Sequence, residues 1–394
     1  MVDPGSPSSR ARIYWTAFIG LLFDYYDLYL FVYLEKVLAA QFQLSTGASN
    51  ALQFAGLAGV GLGALGFGWL ADRFGRGRMM LAVFGVYVFG IAGLSLSWSY
   101  ASLLGFRLVA SLALGAEWGI SHTYLAERVD RATRYRFAAL LQFAILGGLL
   151  AAMAKTYLLP VWGWRWVFAA SIAPIVILSI ARWRVLAAEV PAADPGLLAS
   201  RGDIRFQAGS HKDGWGIWTK NARAFAVCFG LASLTIASGT INVFFAKELP
   251  QSAIYTVFFW LNVAPGMLLG ALAVRRLGVG RALAIYAGML LVLSLGAWAS
   301  AWPQRALAFA LVLPLLNGVP FGLMGAFFNE VFGEYRTMLS GAAYNLGRIL
   351  AGFAPALITA LGLHESGRYF LFTAALGAGV LALSVAAAKL ARRW

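Results

Sequence analysis

The chain is organised around Gly68-Trp69-Leu70-Ala71-Asp72-Arg73-Phe74-Gly75-Arg76-Gly77-Arg78, a short charged turn between two long apolar runs. The glycines permit a tight reversal of the backbone, and the arginines hold the turn on the positive side of a bilayer. The stretch therefore reads as a cytoplasmic hairpin between two membrane helices.

Outward from this hairpin the whole chain has the same character. Of its 394 residues 61% are hydrophobic and 12% charged, a mix that excludes a water-soluble domain. Twelve apolar runs fall near 12–34, 50–71, 79–99, 102–126, 136–159, 165–187, 222–246, 252–274, 282–301, 305–329, 337–361 and 368–390. Each is long enough to cross a hydrocarbon core of about 30 Å. The expected fold is all-α and integral to the membrane, with twelve transmembrane helices. The net charge of +15 does not point to nucleic acid, because most of the 31 Lys and Arg residues fall on one side of the runs. That asymmetry places both termini in the cytoplasm. The single cysteine, Cys228, excludes an internal disulfide. No cleavable leader is expected, since Met1–Arg12 is polar and the first apolar run carries two carboxylates.

A repeat is visible at an offset of about 203 residues: Arg275-Arg276-Leu277-Gly278-Val279-Gly280-Arg281 falls over Asp72-Arg73-Phe74-Gly75-Arg76-Gly77-Arg78. The same shift carries Gly115, Gly119, Glu127 and Gln142 onto Gly318, Gly322, Glu330 and Asn345. It implies an N-terminal six-helix bundle (1–187) and a C-terminal one (222–394), related by an axis along the membrane normal, with the substrate site between them. Residues 188–221, rich in Pro, Gly and Asp, read as a cytoplasmic connector, with Ile204–Phe206 and Trp215–Trp218 as pieces that can rest on the membrane surface.

Charges inside the apolar runs carry the chemistry. Asp24 and Asp27 lie on one face of the first helix. A charged Asp at that depth costs at least about 2.5–3.5 kcal/mol, so each must be paired, protonated or in contact with water. Arg107, at similar depth in the fourth helix, is the expected partner of Asp27, and Glu117 lies deeper in the same helix. These four are the candidate proton-coupling residues, weighed against a purely structural role. The second half aligns Val227, Gly230 and Ala310 with Asp24, Asp27 and Arg107, and instead places Arg348 within its eleventh helix. A guanidinium there can hold a carboxylate bidentately. The alternative is a structural link from Arg348 to Glu330 or Glu117. Asn345, Tyr344, Gln142 and Asn317, with Asn242 and Asn262 around them, are candidates to complete a polar substrate pocket. Lys155 is read as snorkelling to the headgroups. The glycine ladder Gly56, Gly59, Gly61, Gly63, Gly66, Gly68 reads as helix packing, and Pro265, Pro314, Pro320 and Pro355 as kinks. His122, His211 and His364 are scattered and Gly-rich phosphate loops are lacking, so no enzyme, metal centre or cofactor is expected.

The Gly-Leu-Asp-Arg-Gly-Arg-Arg order of the hairpin and the duplicated halves resemble the major facilitator superfamily of secondary transporters. The resemblance implies that fold, with Asp72 pairing with neighbouring arginines and the start of the eleventh helix to hold the cytoplasmic side closed. Arg73, Arg76, Arg78, Glu127, Arg128 and Glu330 are gate-like by the same analogy. Within the superfamily, the first-helix Asp pair, Glu117-Trp118-Gly119 (with Ala116 where the family run has glycine), Gly163-Trp164-Arg165 and Tyr344-Asn345-Leu346-Gly347-Arg348 look like the metabolite:proton and sialate/lactate:proton symporter branches. That likeness implies proton-coupled uptake of a small carboxylate, lactate-like or another organic acid, by a monomer in the plasma (inner) membrane. The expected partners are the carboxylate, protons and the lipid bilayer. A betaine- or proline-like zwitterion is the alternative substrate, and a drug exporter or a non-transporting sensor are further alternatives.

Overall fold

A computed structural model of the chain describes residues 7–189, 214–246, 252–299, 304–333, 335–363 and 368–391, and every regular element among them is helical. The first half begins with α1 (Pro7–Gln41), α2 (Thr46–Phe74), α3 (Arg76–Ser95) and α4 (Tyr100–Arg128). Ser45 caps α2 and Ser99 forms a reciprocal capping box with Ser102 at the start of α4, satisfying amides that the helix leaves unbonded. The fifth passage is irregular, running through α5 (Arg134–Gln142), a 3-10 turn (Phe143–Leu146), α6 (Gly147–Met153) and a π turn (Ala154–Leu158). Then α7 (Leu159–Glu189) bends at Gly163, whose φ of 71° marks the reversal into the sixth passage. The second half comprises α8 (Gly214–Ala246), α9 (Ser252–Leu277), α10 (Val279–Ala299), α11 (Gln304–Val331), α12 (Arg336–Gly352), α13 (Ala354–Ala360) and α14 (Tyr369–Ala391).

These elements make the twelve passages that the apolar runs predict, with three adjustments. The third ends at Ser95 rather than 99, and Trp215–Trp218 belongs to α8 instead of lying apart on the surface. The eleventh is split between Gly352 and Ala354, because Pro355 constrains the residue before it and lacks an amide to continue the helix. The central part of the connector, 190–213, with Ile204–Phe206 and His211, lies outside the described residues, as do His364 and the side chain of Asn242. Nine described stretches are long and apolar enough, by length and composition, to cross a membrane. Phe54, Leu62, Phe89, Ile177 and Val292 stand exposed on outer faces, as helices solvated by lipid require.

The halves repeat each other down to single contacts. In the first, α2 and α3 pack on α4, and α3 on α7; in the second, α9 packs on α11, and α10 on α14. Gly75 turns the α2–α3 hairpin with φ 94°, and Gly278, 203 positions on, turns α9–α10 with φ 81°. A Cβ on Gly63 would collide with the Leu112 carbonyl, and one on Gly266 with the Leu315 carbonyl. Gly115 against Val60 and Gly318 against Val263 repeat the relation. Small residues thus set the helix spacing at equivalent points, since lipid offers no hydrophobic drive for one helix to seek another.

The glycine ladder on α2 serves two neighbours: Gly59 and Gly63 admit α4, while Gly61 and Gly68 admit Leu346 and Met338 of α12. Through α2–α12, α5–α9, α5–α11 and α4–α12 the halves face each other. Gly63→Val and Gly115→Val should each lower the apparent melting temperature in detergent, at a cost of about 1–3 kcal/mol for forced overpacking. Gly66→Ala, with open space at its Cβ position, should leave it unchanged.

Candidate functional site

At the basic face, Asp72 joins the two halves. Its carboxylate accepts hydrogen bonds from the backbone amides of Thr337 (3.1 Å) and Met338 (2.9 Å), in the first turn of α12. Those amides have no partner within their own helix, and the positive end of α12 favours the anion. Arg76 donates to Asp72 at 2.8 Å and to Glu127 at 3.0 Å, so one guanidinium ties α2, α3 and α4 beneath the contact. Further ties cross between halves: Thr123 donates to Asn329 (2.7 Å), Tyr135 donates to Glu330 (2.7 Å), and Arg134 lies 3.7 Å from Glu330. The other basic residues of these turns are placed differently. Arg73 sits over Trp69 and Phe74, Arg128 covers the Tyr124 ring at 3.8 Å, and Arg78 is exposed.

Deeper in the bundle, a ring stack crosses the divide. Trp118 of α4 lies parallel to Tyr344 of α12, with centroids 3.9 Å apart and an interplanar angle of 2°. His122 also stacks on Trp118, at 4.2 Å. Tyr25 of α1 shares a hydroxyl–hydroxyl bond with Tyr344 at 3.0 Å, and Gln142 lies beside the same hydroxyl. Asn345 donates to the Gly115 carbonyl across the halves (2.8 Å) and to Gly341 (3.1 Å). Gly119 lets the backbones meet, since a Cβ there would stand 2.9 Å from the Thr337 oxygen.

The charged residues are buried around this stack. Asp24 and Asp27 are 3% and 1% exposed, and none of their four carboxylate oxygens has a hydrogen bond. The expected direct Asp27–Arg107 pair is not formed: Arg107 packs its guanidinium 3.7 Å over the Phe31 ring, and its Nε and Nη1 atoms are unbonded. The two remain electrostatic neighbours. Cation–π contact substitutes for part of the lost hydration, which a flat guanidinium can exploit.

Glu117 instead pairs with Arg182 of α7 at 2.8 Å and accepts from Ser121 at 2.7 Å. Arg348 links to neither Glu117 nor Glu330, which have these other partners. Its two Nη atoms are buried without a hydrogen bond, and it faces Asp24, Tyr25, Tyr29 and Tyr344 electrostatically.

The structure therefore gathers Asp24, Asp27, Arg107, Gln142, Tyr344 and Arg348 at mid-depth. Two other candidates have different surroundings. Asn317 accepts from Ser238 (2.6 Å) and Tyr286 (3.3 Å) inside the second half, and the amide donor of Asn345 is engaged in joining the halves. Sequence reasoning missed Tyr25 and Arg182. The signal for Arg182 was present, as an arginine within the sixth apolar run facing an acid, Glu117, in the fourth. Lys155, exposed with its amine 5.8 Å over the Tyr33 ring, stands apart from the cluster. Among the described residues, no group of His, Cys, Asp and Glu is placed to hold a metal ion.

Two helical bundles facing each other across unpartnered charges define a two-half membrane carrier. Residues 17–355 match the family profile of the Major Facilitator Superfamily, and the chain belongs to that family: it is a transporter and not an enzyme. It is 28% identical over 361 residues to the cis,cis-muconate transport protein of Acinetobacter baylyi, covering 87% of this chain and 85% of that one. It is 27% identical over 398 residues to the gallate transporter of Pseudomonas putida, covering 93% and 85%. Among solved structures, the proton:xylose symporter XylE bound to 6-bromo-6-deoxy-D-glucose superposes with a TM-score of 0.73 at 17% identity, covering 96% and 95% of the two chains. A variant of the E. coli fucose:proton symporter FucP gives 0.71 at 13%, covering 97% and 98%. Both share the fold.

Removing the charge that holds α12 should loosen the basic face. In a Cys228→Ala background, a cysteine at buried Ser340 should be alkylated about tenfold faster when Asp72→Asn is added, as loss of a charge-assisted bond worth about 1.5–3 kcal/mol predicts.

Proposed function

We propose that the chain carries a small carboxylate inward together with a proton, by rocker-switch alternating access in the plasma (inner) membrane, as a monomer with both termini cytoplasmic. One observation carries the reading: among the described residues, each half holds one unbalanced buried charge. The deep groups of the first half are three carboxylates, Asp24, Asp27 and Glu117, against two guanidinium groups, Arg107 and Arg182. The second half presents Arg348, with Asp24 as its facing carboxylate.

In the empty carrier the surplus acid and Arg348 compensate each other across the divide. A proton on Asp24 or Asp27 neutralises the first half, and a carboxylate on Arg348 neutralises the second. With both in place, or with neither, the halves can turn past each other without exposing an uncompensated charge to low dielectric. A proton alone leaves Arg348 bare; an anion alone leaves the carboxylate bare. One surplus cation favours one carboxylate group, hence a monocarboxylate. The surrounding Tyr25, Tyr29 and Tyr344 offer flat apolar faces that suit a planar acid. Relatives named for muconate and gallate transport agree with an organic-acid cargo.

The test is uptake into proteoliposomes, with and without an inward proton gradient, of benzoate, gallate, muconate, lactate, 2-oxoglutarate, betaine and proline. Gradient-driven uptake of a monocarboxylate is expected, with a fall of at least about a hundredfold in Arg348→Ala, the order expected for a lost charge-assisted carboxylate contact. Carboxylate flux that survives the substitution, or uptake of zwitterions alone, would contradict the assignment.

A further inference from the structure

Asp24 also borders a space that carboxylate binding does not use. With Gly20, Phe84, Tyr87 and Glu117 it lines a cavity of about 10 Å3 inside the first half, the room needed by a single water. Gly20 and Phe84 in turn line a crevice of about 220 Å3 with Arg12, Trp15, Thr16 and Arg182. Its rim residues Arg12 and Trp15 are exposed near the start of α1. The ion pair of Glu117 and Arg182 stands between cavity and crevice.

The pair is built as a plug. Arg182 Nη2 bonds Glu117 Oε1 at 2.8 Å, and Arg182 Nε donates to the Thr16 carbonyl at 2.9 Å, fixing the guanidinium against α1. A side chain on Gly20 would overlap both members of the pair, so α1 is pared to its backbone where they cross it. Glu117 Oε2 and Arg182 Nη1 are buried and unbonded. The groups facing Asp24 are Asp27 and Tyr25 of α1, Tyr87 of α3, Glu117 of α4 and Tyr344 and Arg348 of α12. Those facing Glu117 are Arg182 of α7 and Ser121 and Asp24 around the cavity. The boundary between the halves on the basic side is meanwhile closed by Asp72, Thr123 and Asn345.

The geometry points to a proton exit through the first half, separate from the path between the halves that the carboxylate takes. The proton passes from the Asp24 carboxyl through one water to the free Oε2 of Glu117, leaving Asp24 ionised. Neutral Glu117 no longer holds Arg182, the pair parts, and the proton leaves to water in the crevice. Glu117, ionised again, recaptures Arg182 and reseals the plug. Because the pair is closed whenever Glu117 is charged, no continuous file of water joins Asp24 to the crevice. This inference rests on the symport reading above.

Ala181 lines the crevice and carries none of these groups. In a Cys228→Ala background, Ala181→Cys is modified in detergent with a trimethylammonium-ethyl methanethiosulfonate and reconstituted. The cargo is the panel carboxylate that the unmodified protein carries fastest. Modification should slow gradient-driven uptake at least about fivefold while counterflow exchange, which requires no net proton release, stays within about twofold. Ala181→Trp should show the same split without chemistry at a thiol. Equal loss in both modes, or no loss in either, overturns the separate exit and leaves symport standing. Uptake by the unmodified protein that ignores the proton gradient overturns both.

Discussion

A guanidinium and a carboxylate that have lost their water must find opposite charge, and among the described residues the surplus of each sign lies in a different half. Asp24 and Asp27 lie on α1, and Arg348 lies on α12, without a hydrogen bond to any of the carboxylate oxygens or to either Nη atom. The energy at stake is several kcal/mol for each ion, larger than typical stabilisation by a single helix contact. On the proposed symport reading, attraction across the divide couples the occupancy of the site to the relation of the two bundles, and proton and anion act on the same electrostatic imbalance from opposite sides.

The rest of the architecture keeps that imbalance buried without locking it. Within each half, glycines at Gly63, Gly115, Gly266 and Gly318 bring backbones into contact, so each bundle is closely packed. Between the halves, the packing of α2 on α12 and the Trp118–Tyr344 stack are joined by polar ties: Asp72 to the start of α12, Thr123 to Asn329, Tyr135 to Glu330, Asn345 to Gly115. In the proposed rocker-switch cycle such bonds are exchanged for water as the basic face opens. The Trp118–Tyr344 stack sits where these ties meet the charged cluster, so movement of α12 is felt at the site.

Much of the fold was legible because it depends on composition and period. The hairpin at 68–78, the twelve apolar runs and the 203-residue repeat each state a local or self-similar constraint, and the structure repeats the turn at Gly75 in Gly278. The identity of partners was less legible. Depth along a helix placed Arg107 near Asp27 but said nothing of rotation about the helix axis, and the guanidinium settles on Phe31. Glu117 and Arg182 are 65 positions apart, and only tertiary packing pairs them. Asn345 aligned with Gln142 by the repeat, yet one donates to a backbone carbonyl across the halves while the other has both amide atoms unbonded. Duplication preserves the scaffold and lets side-chain roles diverge.

The central claim is that anion and proton compensate opposite surplus charges, and proton linkage on binding tests it most directly. Calorimetric titration of the transported carboxylate into purified protein, in buffers of different ionisation enthalpy, reads the protons taken up. The account predicts about one proton per carboxylate at a pH where the acid pair starts ionised, and loss of that uptake when Asp24→Asn and Asp27→Asn are combined. Carboxylate binding without proton uptake, or uptake that persists in the double variant, would contradict it.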